Sequence, residues 1–158
     1  MASDGTKLIA GNRRAWRDYD VLEHFEAGVV LVGSEVKSLR EGHVQLADAF
    51  ARMRNGELWL EGVHIAPYQF AHGVGSHDPD RPRKLLMHRT ELKRLDARLA
   101  QERLALVPLR MYFKAGRAKV ELALAHGRQK ADKRQALAER DAEREMRRAI
   151  GRQAKGME

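Results

Sequence analysis

Two neighbouring segments of the chain alternate apolar and polar residues with a period of two, and no other feature constrains the fold as much. Their apolar positions are Val107, Leu109, Met111 and Phe113, followed by Ala118, Val120, Leu122 and Leu124. The turn sequence Ala115-Gly116 stands between the two segments. Because successive side chains of a strand point to opposite faces, each segment is predicted to be a strand with one face in the core.

Earlier segments predict further strands and a short helix. A β-branched run bounded by glycines over residues 28–33 predicts a buried strand. Ser34 is a favourable N-cap, so a short helix is predicted from Glu35 to Arg40. Asn55-Gly56 predicts a type I′ hairpin between strands at residues 46–54 and 57–65.

The remaining body contains a loop and a second helix. Glycines, prolines and charged residues over 72–83 predict an exposed loop. Leu92, Leu95 and Leu99 recur at helical spacing, which predicts an amphipathic helix over residues 89–103.

Several short antiparallel strands with a few short helices predict a mainly β fold, an OB-like small antiparallel β-barrel. Closure of such a sheet removes the strand edges that a small protein cannot otherwise cover. The predicted organisation is a flexible N-terminus over residues 1–11, the barrel over 12–126 and a basic C-terminal tail over 127–158.

The charge of the chain points to a polyanionic partner. Its 158 residues include 30 Lys and Arg against 22 Asp and Glu, which gives a net charge of +8. Such a protein favours nucleic acid, because neutralised phosphates release condensed counterions. No apolar run approaches the roughly 18 residues that span a bilayer, so no membrane partner is expected. The absence of cysteine and of a signal-peptide segment is compatible with a cytoplasmic location.

Residues suited to catalysis or metal binding are few. His72, His77 and Asp78 are one candidate for a metal cluster or a hydrolase site, but their spacing matches no usual ligand pair. Neither a nucleotide-binding glycine loop nor a nucleophile elbow is present. We predict no catalytic residue, no metal site and no cofactor.

Two basic segments are candidates for contact with RNA. Arg13 and Arg14 precede Trp16, which suits either an arm that contacts phosphate or a solvated arm whose tryptophan packs on the body. Arg81, Arg83 and Lys84 lead into Leu86, which either packs against an unstacked base or belongs to the core.

The outward face of the predicted hairpin is also basic. It carries Arg110, Tyr112, Lys114, Arg117 and Lys119, and Glu121 alone has the opposite charge. This face suits contact with an RNA backbone together with base stacking on the tyrosine. The alternative is an ordinary solubilising surface, on which more acidic residues would be expected.

The last 32 residues form a basic tail without the means to build a core. Residues 127–158 contain ten Lys and Arg against six Asp and Glu, a net charge of +4. The apolar row of the tail is Ala138, Ala142, Met146 and Ile150. Burial of this row would yield about 3 kcal/mol, whereas ordering some twenty residues costs about 1 kcal/mol or more each. We therefore expect a tail that is disordered in the free protein and helical against an anionic partner.

Several segments together resemble the SsrA-binding protein family, also called the small protein B family. They are Asn12-Arg13-Arg14-Ala15, Phe25-Glu26-Ala27-Gly28, Gly33-Ser34-Glu35-Val36-Lys37-Ser38-Leu39-Arg40, Arg83-Lys84-Leu85-Leu86, Arg117-Ala118-Lys119-Val120 and Asp132-Lys133-Arg134. They follow the family order and spacing over residues 12–150.

The resemblance implies a function in ribosome rescue by trans-translation. The body would bind the tRNA-like domain of transfer-messenger RNA, and that RNA would reach a stalled ribosome with elongation factor Tu and GTP. The tail would enter the empty mRNA channel and fold as a helix on 16S rRNA near the decoding centre. The protein would act as a monomer.

The resemblance also implies roles for individual residues. Glu26, Arg40, Leu86 and Lys119 match the family positions that bind RNA, and the neighbouring Arg13, Arg14, Lys84 and Arg117 are added for their charge. Asp132, Lys133 and Arg134 match the decoding-centre motif, and Arg128 and Lys130 extend it. Ala131 and Ala142 replace an aromatic residue or histidine and a tryptophan common in the family, so stacking at those points is not expected.

Two other functions make different demands on the sequence. A generic OB-type module for single-stranded RNA would need stacking aromatic residues, yet only 6% of the residues are aromatic. A hydrolase would depend on His72, His77 and Asp78.

Overall fold

The computed structural model describes residues 5–69, 76–127 and 140–151. The chain divides into two compact units, Met1–Gly127 and Arg128–Glu158. In the second unit the structure describes a helix over residues 140–151, and every residue of this helix is exposed.

Strands dominate the first unit. They are β1 (Thr6–Gly11), β2 (Tyr19–Val29), β3 (Val44–Gln45), β4 (Phe50–Arg54), β5 (Glu57–Glu61), β6 (His64–Ile65), β7 (Arg83–Leu86), β8 (Ala105–Lys114) and β9 (Arg117–Gly127). The helices of this unit are α1 (Arg13–Asp18), α2 (Gly33–Arg40) and α3 (Arg89–Gln101).

Seven strands form one antiparallel sheet that closes on itself. Their order is β1-β8-β4-β5-β7-β2-β9, and β8 pairs additionally with β9. Six of these strands therefore follow one another in a ring, while β1 covers the rest of one edge of β8. β3 and β6 form a separate two-stranded sheet. The predicted mainly β, antiparallel fold with short helices is confirmed.

The main core is built from one face of the ring and from two helices. Leu39 of α2 and Leu95 of α3 are buried together with Leu60, Met111 and Leu122 from the strands. A second, smaller cluster lies where α1 packs on β8 and β9, and it consists of Ala15, Val107, Leu109 and Ala123.

Both predicted hairpins are confirmed. Asn55 and Gly56 have φ values of 52° and 79°, and the register pairs Arg54 with Glu57. Ala115 and Gly116 have φ values of 50° and 78° and join β8 to β9. Left-handed φ at both central residues is the type I′ geometry, whose twist matches that of the flanking strands.

The structure corrects the prediction for the N-terminus. Residues 1–11 were predicted to be flexible, but Thr6–Gly11 form β1 and pair with β8 between Arg110 and Lys114. The strand was missed because its sequence does not alternate clearly. An open edge of β8 determines its conformation, and that edge is visible only in the tertiary structure.

The alternation along β8 is also less strict than predicted. The β8–β9 register shifts between Pro108 and Arg110, so Leu109 occupies a bulge. Val107 and Leu109 consequently contact Ala15 of α1, whereas Met111 and Phe113 pack in or against the main core. The prediction that these four residues share one face of the strand is wrong. The extra residue of a bulge shifts the alternation, so the side chains before it point to the opposite face.

Two boundaries differ near α2 and β5. Helix α2 begins at Gly33 with Val32 as N-cap, so Ser34 lies inside the helix rather than capping it. The predicted strand over 57–65 is divided into β5 and β6. Gly62 accounts for the interruption, since its φ is 75° and a Cβ there would lie 2.5 Å from the carbonyl oxygen of Asp48.

Candidate nucleic-acid interface

A cleft of about 720 Å³ lies on the outer surface where β2, β7 and β9 meet α2. Four residues predicted to bind RNA line it, namely Glu26, Leu86, Arg117 and Lys119. Its apolar lining includes Leu31, Val36, Met87 and Phe113, and His88 and Glu91 also border it. The cleft thus combines charged groups with apolar surface.

Three neighbouring strands bring the central residues of the cleft together. Gly28 of β2 is the register partner of Leu86 on β7 and of Lys119 on β9. Leu86 is 55% exposed, which is unusual for a large apolar side chain in the middle of a sheet. The alternative that Leu86 is a core residue is therefore wrong.

Glu26 is held as a carboxylate beside these residues. Its Oε2 accepts hydrogen bonds from the hydroxyl of Tyr112 and, at 3.4 Å, from Nζ of Lys114. The hydrogen bond from Tyr112 lowers the pKa of Glu26, and the charges of Lys114 and Lys119 add to this effect against a smaller opposing effect of burial. Glu26 is therefore an ionised hydrogen-bond acceptor at neutral pH.

Tyr112 is not available for base stacking. It is 4% exposed, its hydroxyl donates to Glu26, and the guanidinium of Arg110 lies 5.0 Å from its ring centroid. Burial and the hydrogen bond to Glu26 both raise the pKa of Tyr112, so the hydroxyl keeps its proton. The predicted aromatic stacking surface on this face is not formed.

Acidic partners neutralise half of the predicted basic face. Arg110 Nε lies 2.8 Å from Glu121, which also contacts His24 at 3.0 Å, and Lys114 pairs with Glu26. Within the described parts of the chain, Arg117 and Lys119 have neither a hydrogen bond nor an ion pair from their side chains. These two cations remain available for phosphate.

Helix α2 forms another wall of the cleft and is anchored by a buried ion pair. Glu35 and Arg83 are both fully buried, and Arg83 Nε donates to Glu35 Oε2 at 2.8 Å. Burial raises the pKa of Glu35, but hydrogen bonds from Arg81, Val32 N–H and Arg83 outweigh it and lower the pKa overall. Arg83 is therefore structural and is not accessible to RNA, whereas Arg81 bonds to the same carboxylate and keeps 31% of its side chain exposed.

Arg40 lies near the end of α2 and is exposed. It stands four residues after Val36, which lines the cleft, so both lie on one side of the helix. Among the described residues Arg40 has no ion-pair partner. Its position is compatible with an RNA contact at the edge of the cleft.

The other predicted cations of the body lie away from the cleft. Arg14 pairs with Asp48 at 3.0 Å and with Asp18 at 3.6 Å, and Arg13 is exposed on the same helix α1. Lys84 pairs with Glu57 at 2.5 Å. Trp16 is 52% exposed with its ring centroid 6.0 Å from that of His24. RNA contact by Arg13, Arg14 and Lys84 stays a prediction.

The predicted decoding-centre residues lie outside the described residues. They are Arg128, Lys130, Asp132, Lys133 and Arg134. The same holds for Ala131, whereas Ala142 lies in the described helix over residues 140–151. The ion pair from Glu143 to Arg147 spans 4.0 Å on the exposed surface of that helix.

The loop histidines do not form a metal site in the part of the chain that the structure describes. His77 contacts Ser34 Oγ at 2.7 Å and the carbonyl oxygen of Ile65 at 2.9 Å, so both ring nitrogens are engaged. Asp78 accepts the backbone N–H of Asp80. His72 lies outside the described residues.

Among the described helices, none combines the length and the apolar composition that a membrane span requires.

Two interactions that position these surfaces were not found from the sequence. Asn12 is buried, with Nδ2 donating to the carbonyl oxygens of Leu46 and Pro108 and Oδ1 accepting from Ala15 N–H, and these bonds anchor α1. Its place directly before Arg13 was an N-cap signal. The pairing of Glu26 with Tyr112 had no sequence signal, because 86 residues separate the two.

The chain is similar to known proteins along almost its whole length. The family model described as SmpB protein matches residues 9–152. The SsrA-binding protein of Nocardia farcinica (strain IFM 10152) is 55% identical over 158 residues, covering 99% of this chain and 98% of that protein. The SsrA-binding protein of Parafrankia sp. (strain EAN1pec) is 56% identical over 152 residues, covering 96% of each chain.

A solved structure is also similar. A chain described under "tmRNA-SmpB: a journey to the center of the bacterial ribosome" superposes with a TM-score of 0.65 at 48% identity. The match covers 81% of this chain and 93% of that chain. With a family model spanning most of the sequence and relatives above half identity, this chain belongs to the SmpB protein family.

Proposed function

We propose that the body of this protein binds the tRNA-like domain of transfer-messenger RNA through the cleft between β2, β7, β9 and α2. The observation that carries the proposal is the juxtaposition of Glu26, Leu86 and Lys119 around Gly28. Family membership and the similar chain from the tmRNA-SmpB study support the identity of the RNA.

Each side chain of the cleft suits a different part of an RNA loop. Leu86 offers apolar surface to the face of an unstacked base, and Lys119 and Arg117 offer charge to phosphates. Glu26, as an ionised acceptor, accepts hydrogen bonds from base or ribose donors. Arg40 extends the cationic edge along α2.

The tail has a separate task in this proposal. Residues 127–158 enter the empty mRNA channel of a stalled ribosome, where Asp132, Lys133 and Arg134 act near the decoding centre of 16S rRNA. The net charge of +4 in this segment favours rRNA as its docking surface. The exposed helix over residues 140–151 has no core to stabilise it, which agrees with a segment that needs a partner.

The protein acts in the cytoplasm as a monomer in complex with its RNA. Elongation factor Tu with GTP joins through the same RNA. Stalled ribosomes are then rescued by trans-translation, in which the nascent peptide is tagged for degradation.

The test compares binding of the full-length protein to a folded tRNA-like domain and to an unfolded strand of equal length, at two salt concentrations. We expect much tighter binding to the folded RNA, since Tyr112 is too buried for base stacking and the charges and apolar residues of the cleft stand at fixed positions. Equal affinity for both RNAs would contradict recognition of RNA shape and would favour a generic single-strand-binding module.

A further inference from the structure

Gly28 lines the cleft and is the last residue but one of β2, where strands pair with it on both sides. A methyl group at this position would lie 3.7 Å from Cβ of Leu86 and 3.7 Å from Nζ of Lys119. Both distances correspond to ordinary van der Waals contact. The protein without RNA therefore has room for a side chain here.

The backbone does not require glycine either. Gly28 is not among the described residues with positive φ, and the register shift of β2 falls between Val21 and Glu23. Gly62 differs in both respects, because its φ is positive and a Cβ would collide with the carbonyl oxygen of Asp48. Glycine inside a strand lowers stability relative to alanine, since it loses more backbone freedom on folding.

A strand glycine that neither backbone nor packing explains often marks the close approach of a ligand or another chain. Around Gly28 the cleft offers an exposed leucine, an unpaired ammonium and, two residues earlier on the same face of β2, an ionised carboxylate. These are complementary to the base, phosphate and polar groups of one nucleotide.

We propose that one nucleotide of the bound RNA lies directly on β2 at Gly28, with its base on Leu86 and its phosphate at Lys119. The missing side chain at position 28 is then a determinant of RNA affinity. This inference rests on the proposed function, because it names the contact point within the same cleft.

The experiment measures thermal stability and affinity for the folded tRNA-like domain in Gly28→Ala and Gly28→Val. We expect Gly28→Ala to raise Tm by about 2 °C, because the strand loses its glycine. Affinity for RNA should fall about tenfold, and further for valine, because the new side chain displaces the nucleotide.

Gly127→Ala is the matched control. Gly127 is also a glycine of a paired strand, and its Cβ would likewise have its nearest neighbour, Cε1 of Tyr19, at 3.7 Å. It lies at the opposite end of the β2–β9 ladder from Gly28. We expect its affinity for the folded RNA domain to equal that of the wild-type protein.

Each outcome decides the inference. Unchanged affinity of Gly28→Ala overturns it, and so does a fall in Tm, which would show that the free protein itself needs glycine. If the wild-type protein does not prefer the folded RNA, the proposed function fails and the inference with it. If the wild-type protein prefers the folded RNA and Gly28→Ala binds it equally well, the inference fails while the proposed function stands.

Discussion

Pairing among individual charges determines which residues of the cleft can meet RNA. Lys114 and Arg110 are engaged by Glu26 and Glu121, whereas Lys119 and Arg117 have no such partner among the described residues. A net charge of +8 therefore says less about the site than the identity of the unpaired cations. The sequence contains all four cations on one predicted face, and only their neighbours distinguish them.

Replacement of the unpaired lysine should weaken RNA binding through charge alone. We expect Lys119→Ala to lower affinity for the folded RNA and to reduce the slope of log K against log salt by about 1, because one phosphate contact is lost. Arg103→Ala is the control, since Arg103 is exposed and precedes β8 at the end far from the cleft. A slope that stays at the wild-type value in Lys119→Ala would contradict the phosphate contact.

The hydrogen bond between Tyr112 and Glu26 should affect how the stability of the fold depends on pH. The pKa of Glu26 lies below its usual 4.5, so its ionised form stabilises the fold above that pH, and this stabilisation is lost as the pH falls through the lowered pKa. Tyr112→Phe should raise this pKa and cost about 1 kcal/mol at pH 6. NMR titration of the carboxyl group and urea unfolding from pH 6 to 3 would measure both. An unaltered pKa in Tyr112→Phe would disprove the assignment.

At the level of elements, the two type I′ hairpins place different residues in the same left-handed conformation at the first central position of the turn. The β4–β5 turn uses Asn55 with φ of 52°, and the β8–β9 turn uses Ala115 with φ of 50°. Asparagine tolerates the left-handed region better than alanine, because its side chain can bond locally. The β8–β9 turn therefore contains strain that the β4–β5 turn avoids.

Exchange of these turn residues should shift stability in opposite directions. We expect Ala115→Asn to stabilise the protein by about 0.5–1 kcal/mol and Asn55→Ala to destabilise it by a similar amount. Urea unfolding of the two variants would measure the difference, and each serves as the control of the other. Destabilisation by Ala115→Asn would show that the β8–β9 turn is not strained by its alanine.

At the scale of the whole molecule, the chain divides after Gly127 into a cored body and a basic extension. The body closes its sheet into a ring and buries its apolar residues. The described helix of the extension exposes all of its residues, including Met146 and Ile150 at 68% and 62%. Disorder of the free tail and its folding on rRNA stay predictions.

Deletion of residues 128–158 should separate two functions. The RNA cleft lies entirely within the body, so we expect affinity for the tRNA-like domain to stay near that of the full chain. Peptide tagging on stalled ribosomes should be lost, because the segment proposed to enter the mRNA channel is absent. Binding assays and a tagging assay would test this. Lys119→Ala is the comparison variant, because it should weaken RNA binding while the tail stays intact. Loss of both functions on deletion would contradict the two-surface proposal.

Sequence patterns were sufficient for much of the fold and for part of the site. Period-two alternation and Asn-Gly or Ala-Gly turns predicted the hairpins, because these signals are local. Resemblance to the SsrA-binding protein family selected Glu26, Leu86 and Lys119, which the structure places in one cleft. The strand β1 and the bulge at Leu109 were missed, because pairing with distant strands decides both.

The sequence by itself determined the antiparallel class of the fold and the turn positions, and it predicts a contrast between a body that can bury a core and a tail that cannot. These follow from periodicity, turn chemistry and the amount of apolar surface available. Tertiary structure alone decided which charges are free. Arg83 pairs with Glu35, 48 residues away in sequence, and Lys114 pairs with Glu26, 88 residues away. Lys119 has no ion-pair partner among the described residues. Electrostatic pairing depends on distance in space, and the order of residues does not specify that distance until the sheet has closed.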